Sequence, residues 1–252
     1  MAVPARGASS AAFARERAAV ASGPVTDSVR RGDAWPHDAA ALPAQCAAYP
    51  YASATRPAEA AGRDEAPSGA EDEAGSFTSH LAVVDADGNA VSATTTVGVL
   101  FGSGVYTGGF FLNSSAANFD ARTRGTERYA NSTMAPTMVL DGRDVRLVIG
   151  AAGSQYIQPA VAQVTMRILA FGEDAGRAIN APRIQTNQNR REVEVEPGFS
   201  PAVYEALVKA GYRPASRVAD ITFGGVHGVH VRKDGTRVGI ADPRRDGAAR
   251  AP

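Results

Sequence analysis

The sequence is short of several things, and each shortage narrows what the chain does. It holds a single cysteine, Cys46, in 252 residues, so it forms no disulfide within itself and no cluster of thiolate metal ligands. Charge of one sign is missing too: 26 Lys and Arg balance 26 Asp and Glu, for a formal net charge of zero. No strong field therefore draws nucleic acid or an anionic membrane, and any partner has to be recognised by a site. No run of about 18 apolar residues occurs, which excludes a transmembrane helix. The opening stretch, MAVPARGASSAAFARERAAVASG, lacks the unbroken apolar core of a secretory signal, so no export address is read from it and the compartment stays open.

What is present suits one substantial domain with an irregular extension. The composition is 44% hydrophobic and 21% charged, as in a soluble globular chain. Residues 1–77 are rich in Ala with scattered Pro, Gly, Asp and Arg, and only 12–20 (AFARERAAV) reads as a helix. The stretch 52–75 has almost no large apolar side chain, cannot offset its ordering entropy, and is expected to be a flexible tether.

From Thr78 onward the pattern turns to strands. Residues 80–85 and 90–96 flank Asp87-Gly88, 137–140 and 145–149 flank Asp141-Gly142, and 226–231 and 237–240 flank Asp234-Gly235. Asp-Gly tolerates the positive φ of tight turns, so three hairpins are predicted. Helical spacing places Ile157, Val161, Val164, Ile168 and Phe171 on one stripe of a helix over 157–171, with Pro159 in its first turn. A second helix over 201–210 follows Ser200, a good N-cap residue, and stops near Gly211. The expected class is α+β, helices on antiparallel sheets, with no sign of the βαβ units of a parallel fold and no internal repeat.

The block FTSHLAVVDADGNAVSATTTVGVLFGSG (77–104) resembles the start of the small subunit of gamma-glutamyltranspeptidases. Later landmarks arrive in the family's order: GFFLN (109–113), STMAPT (132–137), GAAGS (150–154), NAPR (180–183), VEPGFS (195–200) and ADPR (241–244). The resemblance implies the four-layer αββα sandwich of N-terminal-nucleophile hydrolases. It divides the chain into residues 1–77, a remnant of the large-subunit end plus the tether, and 78–252, the catalytic domain. AAFARERAAVA resembles the last helix of the large subunit. Most of that subunit has no counterpart here, so the sandwich is expected to be incomplete and to lack the Arg that clamps the substrate carboxylate.

The same resemblance assigns roles. Thr78 is the nucleophile, uncovered when the Phe77–Thr78 bond breaks, and its freed α-amino group, with an ordinary pKa of roughly 8, serves as its own base. Thr96 matches the second threonine that hydrogen-bonds the nucleophile, and Gly153 and Ser154 match the glycine pair whose N–H groups form an oxyanion hole. Ser132 and Thr133 match the hydroxyl pair that binds the glutamyl carboxylate. Three positions depart from the pattern: Asn118 stands for an Asp that pairs with the substrate ammonium, Ser115 for a Gln and Gly98 for an Asn. Loss of that carboxylate should weaken ammonium binding by roughly a few kcal/mol, which opens the alternative of a cephalosporin- or glutaryl-type acylase with a neutral pocket.

Plainer readings stand beside these. On spacing alone Thr78 is an ordinary strand threonine, and Thr94, Thr95 and Thr96 are a β-branched run any strand uses. Gly153 can simply start the helix that follows it. His80 reads as a packed strand residue, since an N-terminal threonine needs no second base. His227 and His230 fall on opposite strand faces, so no metal and no cofactor is expected. Arg244 and Asp242 read as a turn or ion pair, and Cys46 as inert. The functional expectation is an autoprocessing threonine amidohydrolase acting on a small gamma-glutamyl or acyl amide, with an amine or water as acceptor. It works either as a heterodimer of cleaved subunits or with a separate large-subunit partner; failing both, the chain is an inactive fragment.

Overall fold

The computed structural model describes residues 5–8, 10–23, 32–37, 77–118, 132–186, 191–218, 221 and 223–251. Cys46 and the expected tether lie outside the described residues. Near the start are α1 (Ala5–Ala8) and α2 (Ala11–Ala21), the latter N-capped by Ser10, whose hydroxyl accepts from the Phe13 N–H at 3.1 Å. The helix matches the reading over 12–20, and Phe13 and Arg17 close over Gly32, where a Cβ would stand 2.6 Å from both side chains.

The region after residue 77 opens with a hairpin, β1 (Thr78–Val84) and β2 (Ala90–Thr96), paired so that Thr78 faces Thr96. Then come β3 (Tyr106–Thr107) and β4 (Phe110–Phe111), β5 (Thr137–Asp141), β6 (Asp144–Ala152), α3 (Ile157–Leu169) and α4 (Ala175–Asn180). The chain continues through β7 (Ile184–Thr186), β8 (Glu192–Val195), α5 (Pro201–Lys209), β9 (Arg213–Ser216), β10 (Gly225–Val231) and β11 (Arg237–Ala241). All three Asp-Gly hairpins form, with Gly88, Gly142 and Gly235 at φ of 88°, 64° and 85°.

The main sheet has the order β11-β10-β6-β5. Its central strand β6 is buried from Leu147 to Ala152, so both of its faces are apolar. Leu147, Ile149 and Ala151 meet Ile157, Val161, Val164 and Ile168 of α3 and Ala175, Ala178 and Ile179 of α4. Each such large aliphatic side chain contributes roughly 1.5–3 kcal/mol of burial free energy. On the opposite face lies the β1–β2 hairpin. There Gly150 carries no Cβ, because one would lie 2.3 Å from the His80 ring, and the Ser92 hydroxyl donates to the Ile149 carbonyl at 3.2 Å. Helices, sheet and hairpin therefore form three successive layers.

Three readings of the sequence need correction. The stripe ends early: α3 stops at Leu169, and Phe171, past its end, is 66% exposed because the chain turns away there toward α4. The short α4, whose N-cap Asp174 accepts from the Gly176 and Arg177 N–H groups, carries too few residues to show a period. A parallel unit does exist: β8 pairs with β9 in parallel across the α5 crossover. β8 does alternate as Glu-Val-Glu-Val, but β9, Arg-Pro-Ala-Ser, shows no such pattern, and a local pattern does not say which strands pair or in which direction. Ser200 stands at the N-cap of α5, but its side chain makes no capping bond.

Candidate active site

Thr78 begins β1 and is 5% exposed. Its neighbour across the hairpin, Thr96, has one hydroxyl proton and two acceptor positions, and all three are used. The Thr78 hydroxyl donates to Thr96 Oγ1 at 3.1 Å, the Gly98 N–H donates to the same oxygen at 2.9 Å, and Thr96 donates its own proton to the Phe77 carbonyl at 3.2 Å. A second donor, the Val97 N–H, reaches the Phe77 carbonyl at 3.4 Å. Two donors thus point at the carbonyl of the bond that precedes the buried threonine. The register that pairs residues 78 and 96 is what assembles this, since a slip of one residue would turn Thr96 to the other face.

The Thr96 end of β2 also holds the next segment. The Ser114 N–H donates to the Val97 carbonyl at 2.9 Å, and the Ser114 hydroxyl donates to the same carbonyl at 3.3 Å. Immediately after it, Ser115 and Asn118 begin and end a 3-10 turn, with the Ser115 N–H bonded to Asn113 Oδ1 at 2.9 Å. Gly98, at φ 83°, has no room for a Cβ, which would fall 2.0 Å from the Ser114 hydroxyl.

Gly153 and Ser154 follow the last residue of β6. Gly153 has φ 135° and Ser154 φ 50°, and a non-glycine held there stores roughly 1–3 kcal/mol of backbone strain. Ala152, the residue before them, lines the same cavity of about 480 Å³ as Thr78, His80 and His227. Ser132 and Thr133 lie ahead of β5, whose first residue pairs with Ile149, so they approach the sheet at the end where β6 runs out into Gly153. The Ser132 hydroxyl accepts from the Met134 N–H at 3.2 Å. Of the eight residues singled out in the sequence, Thr78 and Thr96 are joined directly. Ser115 and Asn118 are tethered to the same strand end, whereas Gly153 and Ser154 follow β6 and Ser132 and Thr133 precede β5, whose start pairs with the C-terminal part of β6.

His80 is on the same face of β1 as Thr78, and its Nδ1 shares a hydrogen with the Thr94 hydroxyl at 2.8 Å. Burial, and then repulsion from His227, push its pKa down to about 4, so the ring is neutral near pH 7 and packs as the sequence reading expected. His227 and His230 line two different cavities, in keeping with opposite faces of β10. Among the described residues no group of three or more His, Cys, Asp or Glu is placed to hold a metal, and no helix is long and apolar enough to cross a membrane.

Sequence reasoning missed the Val97 and Gly98 N–H donors, because backbone groups leave no residue-type signal. It also missed a part-buried group formed by Tyr156, Glu194 and Arg217, whose charged members lie 38 and 61 residues from the tyrosine.

The gamma-glutamyltranspeptidase family model matches residues 43–251. The glutathione hydrolase proenzyme of Escherichia coli is 33% identical over 184 residues, covering 66% of this chain and 31% of that protein. A gamma-glutamyltranspeptidase structure from Helicobacter pylori superposes with TM-score 0.58 at 27% identity, over 66% of this chain and 99% of that one. The cephalosporin acylase of Bacillus halodurans superposes with TM-score 0.61 at 27% identity, over 67% of this chain and 33% of that one. These structures share the mixed α/β fold described above. The chain matches about a third of the length of the full-length hydrolases it resembles.

Proposed function

The chain belongs to the gamma-glutamyltranspeptidase family, and on that footing we propose that it is an autoprocessing threonine amidohydrolase that cleaves gamma-glutamyl amides through an acyl-enzyme. The observation that carries the reading is the arrangement around one peptide bond: a buried Thr78 hydroxyl held by Thr96, and a Phe77 carbonyl that accepts from Thr96 and from the Val97 N–H.

Self-cleavage follows from these atoms. The Thr78 oxygen attacks the Phe77 carbonyl carbon, and the Thr96 hydroxyl and Val97 N–H stabilise the charge that develops on the carbonyl oxygen. Collapse breaks the C–N bond as the proton lost from the Thr78 hydroxyl passes to the Thr78 nitrogen, leaving an ester and a free amine, and water hydrolyses that ester to a carboxylate on Phe77 and a restored Thr78 hydroxyl. The α-amino group released on Thr78 then takes the hydroxyl proton when the same oxygen attacks the amide of a substrate. Backbone N–H groups of Gly153 and Ser154 serve the second oxyanion, each worth roughly 2.7–4 kcal/mol. The proton returns to the leaving amine, and water or an acceptor amine clears the acyl group. Residues 1–77 and 78–252 are then the two cleaved subunits. The β1–β2 hairpin exposes Leu81, Val83 and Val91 on its outer face, each at least 50% accessible. This apolar face supports a fourth layer of the αββα sandwich that large-subunit residues would supply.

A related acylase is the second reading. It is favoured by Gly98, Ser115 and Asn118 at the end of the site, which offer no carboxylate to a substrate ammonium, and by the similarity to a cephalosporin acylase.

Intact-mass spectrometry on purified protein tests the common core of both. The wild type is expected to split into residues 1–77 and 78–252, and Thr78→Ala to stay whole. A folded wild-type chain that never splits would remove the basis for either activity. Side-by-side turnover of gamma-glutamyl-p-nitroanilide and glutaryl-p-nitroanilide separates the two.

A further inference from the structure

We propose that Tyr156, clamped by Glu194 and Arg217, is a positioning residue that fixes the Gly153–Ser154 turn, which follows the Ala152 that lines the Thr78 cavity. The inference rests on the reading of Gly153 and Ser154 as oxyanion donors given above.

Tyr156 closes the turn from inside: its N–H donates to the Gly153 carbonyl at 3.0 Å, so the two peptide units between them are fixed relative to its Cα. Its side chain then fixes that Cα to a different part of the molecule. The phenol O–H donates to Glu194 Oε2 on β8 at 2.5 Å. The Arg217 guanidinium, just past β9, donates to the phenol oxygen and to Glu194 Oε1, both at 2.8 Å. The ring also meets Phe223, with centroids 5.3 Å apart, and the same guanidinium, 5.6 Å from the ring centre. The Tyr156 carbonyl is approached by Gly224 at φ 82°, where a Cβ would come within 3.0 Å.

Packing alone does not call for the hydroxyl. Tyr156 is 8% exposed, and a phenylalanine would fill the same space without the cost of dehydrating a polar group. What the hydroxyl adds is direction: it ties the ring to one charge on β8 and one just past β9. Ser154, a non-glycine, holds a positive φ of 50°, a conformation that a chain keeps only when its surroundings enforce it. Burial first, then the Glu194 carboxylate, push the phenol up to about 12, so it stays a donor throughout the neutral range.

The test is Tyr156→Phe and Glu194→Gln in the full chain, compared with Ile168→Val, a core change on α3 that loses Tm without touching the turn. Tyr156→Phe is expected to speed amide hydrogen exchange in a peptide covering 153–156. It is also expected to lower kcat for gamma-glutamyl- or glutaryl-p-nitroanilide roughly 10- to 100-fold at unchanged KM. Glu194→Gln keeps an acceptor and should fall between it and the wild type. Wild-type kcat in Tyr156→Phe, or an equal kcat loss in Ile168→Val at matching Tm, would overturn the proposal. A wild type that neither self-cleaves nor turns over would defeat the proposed function. The exchange rate at 153–156 then still decides the clamp: faster exchange in Tyr156→Phe supports it, and an unchanged rate overturns it.

Discussion

The guanidinium of Arg183 and the carboxylate of Asp242 meet at 2.6 Å, with 2% and 0% of their side chains exposed. They come from two sequence landmarks, NAPR and ADPR, 59 residues apart, and a third landmark joins them: Arg244 reaches Glu196 of VEPGFS at 2.5 Å and Asp242 at 3.2 Å. Arg183 also donates to the Gly224 and Ile179 carbonyls, and the Val226 N–H donates to Asp242 at 2.8 Å. The two carboxylates and two guanidiniums therefore knit β7, β8, β10 and the chain after β11 into one body. The reading of Asp242 and Arg244 as a turn or ion pair holds, and the network is larger than that pair.

Removing one partner from such a group leaves a buried charge uncompensated, so Asp242→Asn is expected to cost roughly 3–5 kcal/mol. The pH dependence follows from the direction of the shift. Burial pushes the Asp242 carboxyl up, but Arg183 and the N–H donors of Val226 and Arg244 outweigh it and hold the pKa below its ordinary 3.8. Its stabilising contribution is therefore complete above about pH 4 and lost as pH falls through the folded-state value. Urea unfolding at pH 7 and at pH 3 should show the wild type and Asp242→Asn far apart at the first and closer at the second. A gap that does not shrink in acid would mean that the carboxylate charge contributes little.

Thr96→Ala removes the hydroxyl that donates to the Phe77 carbonyl and accepts from Thr78 and Gly98. Loss of one donor to a developing oxyanion typically lowers a rate roughly 10²- to 10³-fold. Self-cleavage followed by intact mass over time should slow by that order, while Thr96→Ser, which keeps the hydroxyl, should cleave at a rate close to wild type. Equal rates in the alanine and serine variants would mean that the Thr96 hydroxyl takes no part.

The hairpins were legible because Asp-Gly turns and β-branched runs are local signals, and α3 because a 13-residue helix displays its period more than three times. Thr78 and Thr96 were legible through the surrounding block rather than through their own type. The β8-α5-β9 unit and the Tyr156 clamp were not, since parallel pairing and charge contacts across tens of residues are decided by tertiary packing, which a local pattern does not record. Phe171 shows the converse: its spacing fits the stripe, yet the helix ends two residues before it, and the side chain is left in solvent.

At Gly150 the hairpin layer packs directly on the sheet, with the His80 ring over the glycine. A methyl group added there would sit 2.3 Å from the His80 ring, so Gly150→Ala should destabilise by about 1–3 kcal/mol through overpacking. If the clash is the cause, His80→Ala in the same chain should recover most of the loss, and a thermal double-mutant cycle measures that recovery. Additive losses would place the cost in the β6 backbone instead.

On the proposed function, Asn118 is the residue expected to set which acyl group is selected. It ends the 3-10 turn tethered through Ser114 to the Thr96 end of β2, and in this chain it offers an amide where the family resemblance places a carboxylate. A gamma-glutamyl substrate brings an α-ammonium that an amide serves poorly, whereas a glutaryl group brings none. Asn118→Asp should therefore lower KM for gamma-glutamyl-p-nitroanilide by roughly 10- to 100-fold, the size of a charged hydrogen bond. The same substitution should raise KM for glutaryl-p-nitroanilide, because the new carboxylate would be desolvated without a partner. The diagnostic quantity is the opposite sign of the two changes. If both KM values move together, residue 118 does not face the α-position of the acyl group, and specificity has to be sought at Gly98 and Ser115.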